Sequence, residues 1–478
     1  MWGALPGHGG FRLKKGRLEP TFREWEALCQ DERVQNSRRE RGPEDPLPLQ
    51  RSRSAGPQAL SSNDPIGTAS RRAAMRLLDA VLRKGLPLEA ALDIAARDLD
   101  RPDDRAFAHA ITAETLRRLF DLDALIDSAT RKPLPDDAKA RFALRIALVQ
   151  ALVMETPPHA AISTVLPLVD GGPRKLVHGV FGTLMRNGAK LPEIPSLPPQ
   201  VAARWEIAWG SAVARAAAAA MATPPPLDLI FASDAPAEGL DGVSLMPRHL
   251  RLKRGVAVAG LAGYGEGQWW VQDISASIPA RLLGEGNGRK LLDLCAAPGG
   301  KTMQLASAGF DVTAIDMSTS RLARLRENLE RTGLSAEVKA ADFMKWSPPN
   351  QVDAILLDAP CSATGIFRRH PDVLHRVRPR AIAELAEAQK AMLGRAAGWL
   401  KPGGRMVYSV CSLEPEEGEQ VIEAFLAARS DVRLAAIGPE EVPAEMRPNN
   451  GMLRILPGTF ADLGGADGFF IARFERIS

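Results

Sequence analysis

Cysteine is scarce in this 478-residue chain: Cys29, Cys295, Cys361 and Cys411 are scattered and never form a Cys-x-x-Cys pair. That excludes a disulfide framework and a cysteine zinc site, and it fits a reducing compartment. The 7 histidines are equally dispersed, so a metal-dependent hydrolase is disfavoured and no metal is expected. No apolar run approaches the roughly 18 residues of a spanning helix, and the alanine tract Ala216–Ala220 is too short. Met1–Pro20 shows neither a sustained apolar stretch nor a cleavage site after one. A soluble, cytoplasmic protein without a membrane partner is the expectation. Charge of one sign does not dominate either: the net charge is +4 and the pI about 8.9, which admits a nucleic-acid partner without demanding one.

The chain changes character several times. Residues 1–66 are rich in Gly, Pro, Arg, Ser and Glu and carry no periodicity. The stretch "RRERGPEDPLPLQRSRSAGPQ" cannot bury enough apolar area to offset its ordering entropy, so a disordered, solvated tail is expected. A short helix is expected at Phe22–Cys29, and a natural start further in stays open. From about residue 68 to 190, "ASRRAAMRLLDAVLRKG", "DDRAFAHAITAETLRRLFDLDALIDSA", "DDAKARFALRIALVQALVME" and "PRKLVHGVFGTLMRNG" place apolar residues at helical spacing. This is an all-helical domain. Its Arg71, Arg72, Arg174, Lys175 and Arg186 are candidates for an RNA-facing surface, although a charged helix face is more often simply solvated.

"KLPEIPSLPPQ" (190–200) reads as a proline-rich linker, and 200–270 as a small α+β module. From 271 to 478, apolar runs such as "KLLDLCAA", "FDVTAID", "AEVKAAD", "VDAILLDAP" and "RMVYSVCS" alternate with helical stretches. That pattern argues for a doubly wound, mostly parallel α/β sheet, which binds ligands at the carboxyl ends of its strands. "LLDLCAAPGGKT" (291–302) is a first strand, a Gly-rich turn and a helix start. It is not a P-loop, because Cys295 stands where the first glycine is required. Asp316 ends the second strand, where an acid accepts from ribose hydroxyls, and Asp342 ends the third, within reach of an adenine amine. With no phosphate cradle, S-adenosylmethionine fits such a site better than NAD or ATP.

With the strand order three-two-one-four-five, the fourth and fifth strands are neighbours about 4.8 Å apart. Cys361 and Cys411, just past their ends, then flank one pocket beside the methyl donor. Small cysteines also pack at strand ends for no chemical reason, but two on adjacent strands point to covalent catalysis. A thiolate adding to carbon 6 of a cytosine makes carbon 5 nucleophilic toward a methyl sulfonium. Asp358 in "DAPC" is placed to protonate or hydrogen-bond nitrogen 3 if burial raises its pKa.

"LDLCAAPGGKT", "DAPCSATGIFRRHPDV", "LKPGGRMVYSVCSLEPEEGE", "DGFFIARF" and the lead-in "WWVQDISAS" resemble the Sun/nucleolar-protein family of RNA cytosine-5 methyltransferases. Segment 68–190 resembles a NusB-type RNA-binding domain. The resemblance covers roughly 68–478 and implies a Rossmann-like methyltransferase domain acting, as a monomer, on RNA. Small-subunit ribosomal RNA is the expected substrate, with transfer RNA and a non-catalytic RNA-binding assembly factor as alternatives. It implies that Cys411 attacks carbon 6, that Cys361 assists product release, and that Asp358 contacts the cytosine and the cofactor. Cys295, Ala296, Ala297, Pro298, Gly299, Gly300, Lys301, Asp316 and Asp342 would line the cofactor, with Arg321 nearby. Arg368, Arg369 and His370 would hold RNA phosphates. Val410 and Gly418 depart from the family's usual threonine and asparagine, and neither change removes a reacting atom.

Overall fold

The computed structural model describes residues 64–234, 239–253 and 258–477; the expected tail up to residue 63, with Phe22–Cys29, lies outside the described residues. Seven α-helices among the described residues build the first domain: α1 (Thr68–Leu82), α2 (Leu88–Ala95), α3 (Pro102–Arg117), α4 (Leu119–Ser128), α5 (Lys139–Leu152), α6 (Pro158–Val165) and α7 (Gly171–Arg186). The sequence of α5 is apolar on nearly every side, and the helix is accordingly central, with every residue from Ala140 to Gln150 buried. Its two arginines are neutralised in place. Arg145 forks onto both oxygens of Asp123 at 2.8 Å, and Arg141 reaches Asp127 at 2.7 Å.

Arg71 departs from the expected RNA-facing role. It is buried, donates to Gln150 Oε1 at 2.8 Å and stacks 4.6 Å from the Phe107 ring centre. Arg174, Lys175 and Arg186 are exposed.

The linker leads directly into α8 (Pro199–Trp209), whose first position is a proline pre-set for helix. After α9 (Ser211–Ala222) comes a three-stranded antiparallel sheet, β2 (His249–Leu252), β1 (Leu227–Phe231), β3 (Trp269–Val271), with β1 in the middle.

The last domain starts with α10 (Ile274–Arg281) and continues β4 (Lys290–Leu294), α11 (Gly300–Ser307), β5 (Asp311–Asp316), α12 (Thr319–Thr332), β6 (Glu337–Ala340) and β7 (Val352–Asp358). It closes with α13 (Val373–Arg376), α14 (Pro379–Ala397), β8 (Leu400–Val410), α15 (Glu419–Ala428), β9 (Val432–Leu434), β10 (Met452–Ile455) and β11 (Phe469–Arg476). Its sheet runs β10-β11-β8-β7-β4-β5-β6, with β9 beside β11. Strands β6, β5, β4, β7 and β8 are parallel, which is the expected three-two-one-four-five order, and β11 returns antiparallel against β8. The central strands read as unbroken apolar runs because helices cover both faces; Ala354, Ile355, Leu356 and Leu357 of β7 are all fully buried.

The helical domain seats on the segment that follows β7. Arg117 donates to the Arg368 carbonyl at 2.8 Å, and the His375 ring donates to the Leu116 carbonyl at 2.9 Å. No described helix is long and apolar enough to cross a membrane.

Candidate active site

The switch point of the sheet lies between β4 and β7, the two strands from which the chain leaves in opposite lateral directions. Beyond β4, Cys295 takes a left-handed backbone, φ 63°, and the turn Ala296–Gly299 closes onto the start of α11. Gly299 is required twice over: its φ is +106°, and a Cβ there would stand 2.8 Å from Leu325 Cγ. The structure shows Gly299 serving the packing of the turn against α12.

A cavity of about 340 Å³ opens over this turn, lined by Trp270, Asp293, Cys295, Pro298, Lys301 and Asp358 among others, within the range of small-molecule sites. Burial pushes the Cys295 thiol up, helped by the Asp316 and Asp358 carboxylates, so it packs there as a neutral group. Asp316 is occupied by the turn itself: it accepts from the Ala297 and Ser318 amides at 3.1 and 2.8 Å and from the Arg321 guanidinium at 3.1 Å. Arg321 also donates to the Ala297 carbonyl, so it braces the turn. Asp342 caps its own turn by accepting from the Met344 amide at 2.9 Å, with Lys345 at 3.3 Å. Asp316 and Asp342 sit at neighbouring strand ends, outside the lining of the cavity.

Asp358 ends β7, in register with Ser409 of β8. Its two oxygens accept from Lys301 and Ser409, both at 2.7 Å. The expected burial of Asp358 is not met, since the side chain is 31% exposed. In the cavity lining, the carboxyl that burial does raise, to about 7, is Asp293, near the end of β4. One of its oxygens accepts from Thr302 at 2.5 Å and the other has no partner. A charged residue inside "LLDL" was the available signal for it.

Cys361 and Cys411 follow the ends of β7 and β8 and meet with 3.5 Å between their sulfurs. Both are half-buried. The Cys361 thiol is held well above its usual range by its hydrogen bond to Cys411, by burial and by the nearby Glu417. The thiols are outside the cavity lining, and Asp358 links the two: it lines the cavity and bonds Ser409, two residues before Cys411. The backbone after Cys411 is held from several sides. Arg454 donates to the Ser412 carbonyl at 2.6 Å and Trp209 to the Leu413 carbonyl at 2.8 Å. Arg204 and Trp205 grip Glu414.

Arg368 and Arg369 do not face outward for phosphates. Arg369 bonds Asp273 at 2.8 Å and Asp467 at 3.0 Å, and the buried Arg368 bonds the Gly464 carbonyl. His370 stands 4.0 Å from Glu89 of α2, at the seam with the helical domain, where burial lowers its pKa. Glu417 and Gln389, which no sequence motif singled out, are buried beside the two cysteines. Four glutamates crowd positions 414 to 419; Glu414 and Glu417 are both buried, and the short helical turn Pro415–Glu417 carries the second toward the cysteines. Among the described residues no group of three or more His, Cys, Asp or Glu is arranged to hold a metal ion.

The family model described as 16S rRNA methyltransferase RsmB/F matches residues 280–475, and the NusB family model matches 68–184. Ribosomal RNA small subunit methyltransferase B of Klebsiella pneumoniae subsp. pneumoniae is 34% identical over 439 residues, spanning 85% of this chain and 98% of that protein. The protein of the same name from Xanthomonas campestris pv. campestris is 34% identical over 398 residues, 78% of this chain and 91% of its own. In fold, the crystal structure of NSun6 from Pyrococcus horikoshii with SFG superposes with a TM-score of 0.51 at 19% identity, over 59% of this chain and 98% of that one. Motifs, fold and similarity over most of the sequence agree, and the chain belongs to the RsmB/F family of 16S ribosomal RNA methyltransferases.

Proposed function

We propose that the chain methylates carbon 5 of a cytosine in small-subunit ribosomal RNA, using S-adenosylmethionine and a transient bond between Cys411 and carbon 6. The observation that carries this reading is the 3.5 Å approach of two thiols at the ends of adjacent parallel strands, beside the Lys301–Asp358 pair.

The cofactor fits the residues present. The cavity over the Gly-rich turn is walled by apolar groups, by the Lys301–Asp358 pair, by Arg331 and by Asp293, one of whose buried oxygens lacks a partner among the described residues. That oxygen is an acceptor open to a polar group of a bound nucleoside. When bound, S-adenosylmethionine supplies an electrophilic methyl sulfonium. Cys295 through Lys301 and Asp358 hold it; Asp316 and Arg321 keep the turn in shape.

Cys411 gives its sulfur electron pair to carbon 6, and the ring electrons move to carbon 5, which takes the methyl group as the methyl–sulfonium bond breaks and leaves a neutral thioether. Asp358 contacts the cytosine with its orientation fixed by Ser409, and the donor available for charge building on the ring is the Lys301 ammonium. The proton on carbon 5 then passes to water, its electron pair reforms the carbon 5–carbon 6 double bond, and the pair of the breaking carbon–sulfur bond returns to the Cys411 sulfur. Cys361, kept protonated beside that sulfur, donates a hydrogen bond to it as it departs.

The helical domain, 68–190, binds RNA through exposed residues that include Arg174, Lys175 and Arg186 of α7. Residues 200–270 form the connecting module, and 271–478 the methyltransferase domain. Both cysteines and the cofactor cavity come from one polypeptide, which supports action as a monomer. The three described cysteines are free, in keeping with work in the cytoplasm.

Cys361→Ala should accumulate a protein–RNA adduct visible as a shifted band on a denaturing gel. A band from Cys411→Ala instead would exchange the two roles, and bands from neither would remove the covalent step. Bisulfite sequencing of RNA from cells lacking the protein should show a lost signal in small-subunit ribosomal RNA; a loss confined to transfer RNA would reassign the substrate.

A further inference from the structure

Each reactive cysteine is followed by a serine, Ser362 and Ser412, and both serines are buried. They meet on one carboxylate. Glu417 accepts from the Ser362 amide at 2.8 Å with one oxygen, and from the Ser362 and Ser412 hydroxyls with the other, the latter at 2.6 Å. The two serine hydroxyls also touch each other at 3.1 Å.

The far side of the carboxylate is equally fixed. Gln389 of α14 donates to Glu417 at 3.0 Å and to the Pro360 carbonyl at 2.8 Å. Tyr408 of β8 donates to the Glu417 carbonyl at 2.7 Å and contacts Gln389 at 3.2 Å. Glu417 is 0% exposed and lies outside the cofactor cavity.

Sheet geometry alone does not explain the thiol contact. The strands β7 and β8 end at Asp358 and Val410, so each sulfur stands on a loop beyond the ladder. Loop ends wander unless tied. A carboxylate that takes one hydrogen bond from each loop, and a second from one of the backbones, removes that freedom. A buried carboxylate with all its lone pairs engaged is also a costly device to keep for packing alone.

We propose that Glu417 is a positioning residue that clasps the two cysteine loops together and sets the distance between Cys361 and Cys411. This rests on the proposed function, in which both sulfurs act on one cytosine. It touches neither substrate nor cofactor, and it acts through Ser362 and Ser412. Displacement of a reacting group by about 1 Å can cost about 100-fold in rate, so loosening the clasp should be felt in chemistry and not in cofactor affinity.

The test uses the full chain and two readouts. The first is the rate at which diamide, a thiol oxidant, joins Cys361 to Cys411, followed by mass spectrometry. The second is single-turnover methyl transfer to small-subunit ribosomal RNA. Glu417→Ala should slow both by about 10- to 100-fold while S-adenosylmethionine affinity changes less than about twofold. Glu417→Gln, which keeps an acceptor, should recover much of both rates. If Glu417→Ala does not fold, Ser362→Ala and Ser412→Ala each remove one tether and should show the same pattern in part. Oxidation and transfer at wild-type rates in these variants would overturn the proposal. If instead Cys411→Ala still methylates RNA while Glu417→Ala slows the thiol coupling, the clasp stands and the covalent mechanism falls.

Discussion

Arg369 offers the sharpest separation between a phosphate contact and a structural one. Its guanidinium joins two carboxylates, Asp273 and Asp467, at 2.8 and 3.0 Å, and those side chains are only 5% and 3% exposed. Replacing it with methionine keeps the aliphatic bulk and strips both acids of their nearest cation. Breaking a buried pair on one side costs about 3–5 kcal/mol. Arg368 remains 3.8 Å from Asp467, and one Asp273 oxygen keeps the Ser275 and Asp467 amides, so the lower end, about 3 kcal/mol, is expected. For a domain of this size each kcal/mol moves the melting temperature by about 2–4 °C, giving a fall of about 6–12 °C. Thermal unfolding followed by tryptophan fluorescence measures it. Adding Asp467→Asn to Arg369→Met should return part of the loss, because the two sites are coupled. A melting temperature within about 2 °C of wild type, with RNA affinity reduced and a shallower salt dependence, would show that Arg369 is a phosphate ligand and that the network carries little.

His375 is held neutral, with its pKa pushed down to about 4 by burial. An unfolded histidine titrates near 6.5. Its contribution is therefore complete above about pH 6.5 and is lost as pH falls toward 4, by up to about 3 kcal/mol. Urea midpoints at pH 7 and pH 5 for wild type and His375→Gln test this; Asp293, raised to about 7, acts with the opposite sign and cancels in the difference. An identical pH slope in both proteins would contradict the assignment. Gly365→Ala would place a Cβ 2.0 Å from the Gly468 carbonyl and 3.0 Å from that of Cys411, so it should cost about 1–3 kcal/mol by overpacking and slow methyl transfer; normal turnover and stability would mean the loop yields freely. RNA affinity should fall with salt, and Arg174→Ala with Lys175→Ala should flatten the log–log slope by about 0.7–0.9 for each phosphate no longer neutralised; an unchanged slope would move the RNA surface elsewhere.

What could be read from the sequence was whatever depends on local pattern. Parallel strands covered on both faces show as apolar runs, so the five strands and their order were legible, and with them the adjacency of Cys361 and Cys411. What could not be read was the choice of partner. Arg71, Arg368 and Arg369 announce charge, but Gln150, Asp273 and Asp467 lie 79 to 98 residues away along the chain. Asp358 looked like a carboxyl awaiting a proton until Lys301, 57 residues upstream, was seen on it. In each case a residue chosen for its chemistry was already engaged by a distant group of opposite character. Glu417 is the converse: one of four closely spaced glutamates, two of them buried, made distinct by the two serines that it joins.

The arrangement around Cys411 divides labour in a way that bears on catalysis. The backbone of Ser412 and Leu413 is gripped by Arg454 from β10, by Trp209 from α8 and by Thr364 from the β7 loop, and the Glu414 carboxylate next to them is held by Arg204 and Trp205 from α8. Among the described residues its sulfur bonds only to the Cys361 sulfur. A nucleophile must be held by its surroundings yet keep its electron pair available, and fixing the main chain while leaving the side chain nearly unbound does both. The helices α8 and α9 precede the methyltransferase sheet in sequence but pack against the segments that follow its fourth and fifth parallel strands, at Phe367, Val373, Leu374 and Leu413. The Cys361 loop has a different anchor: downstream it runs into 367–377, where α1, α2 and α3 of the helical domain seat. The loop that carries Cys411 is thereby braced by the connecting module, and the loop that carries Cys361 by the segment nearest the helical domain. The module between the two domains is part of the scaffold of the two-cysteine site, so a substitution at Trp205, Trp209 or Arg204 bears on the placement of Cys411 through residues 413 and 414 without touching the cavity over the Gly-rich turn.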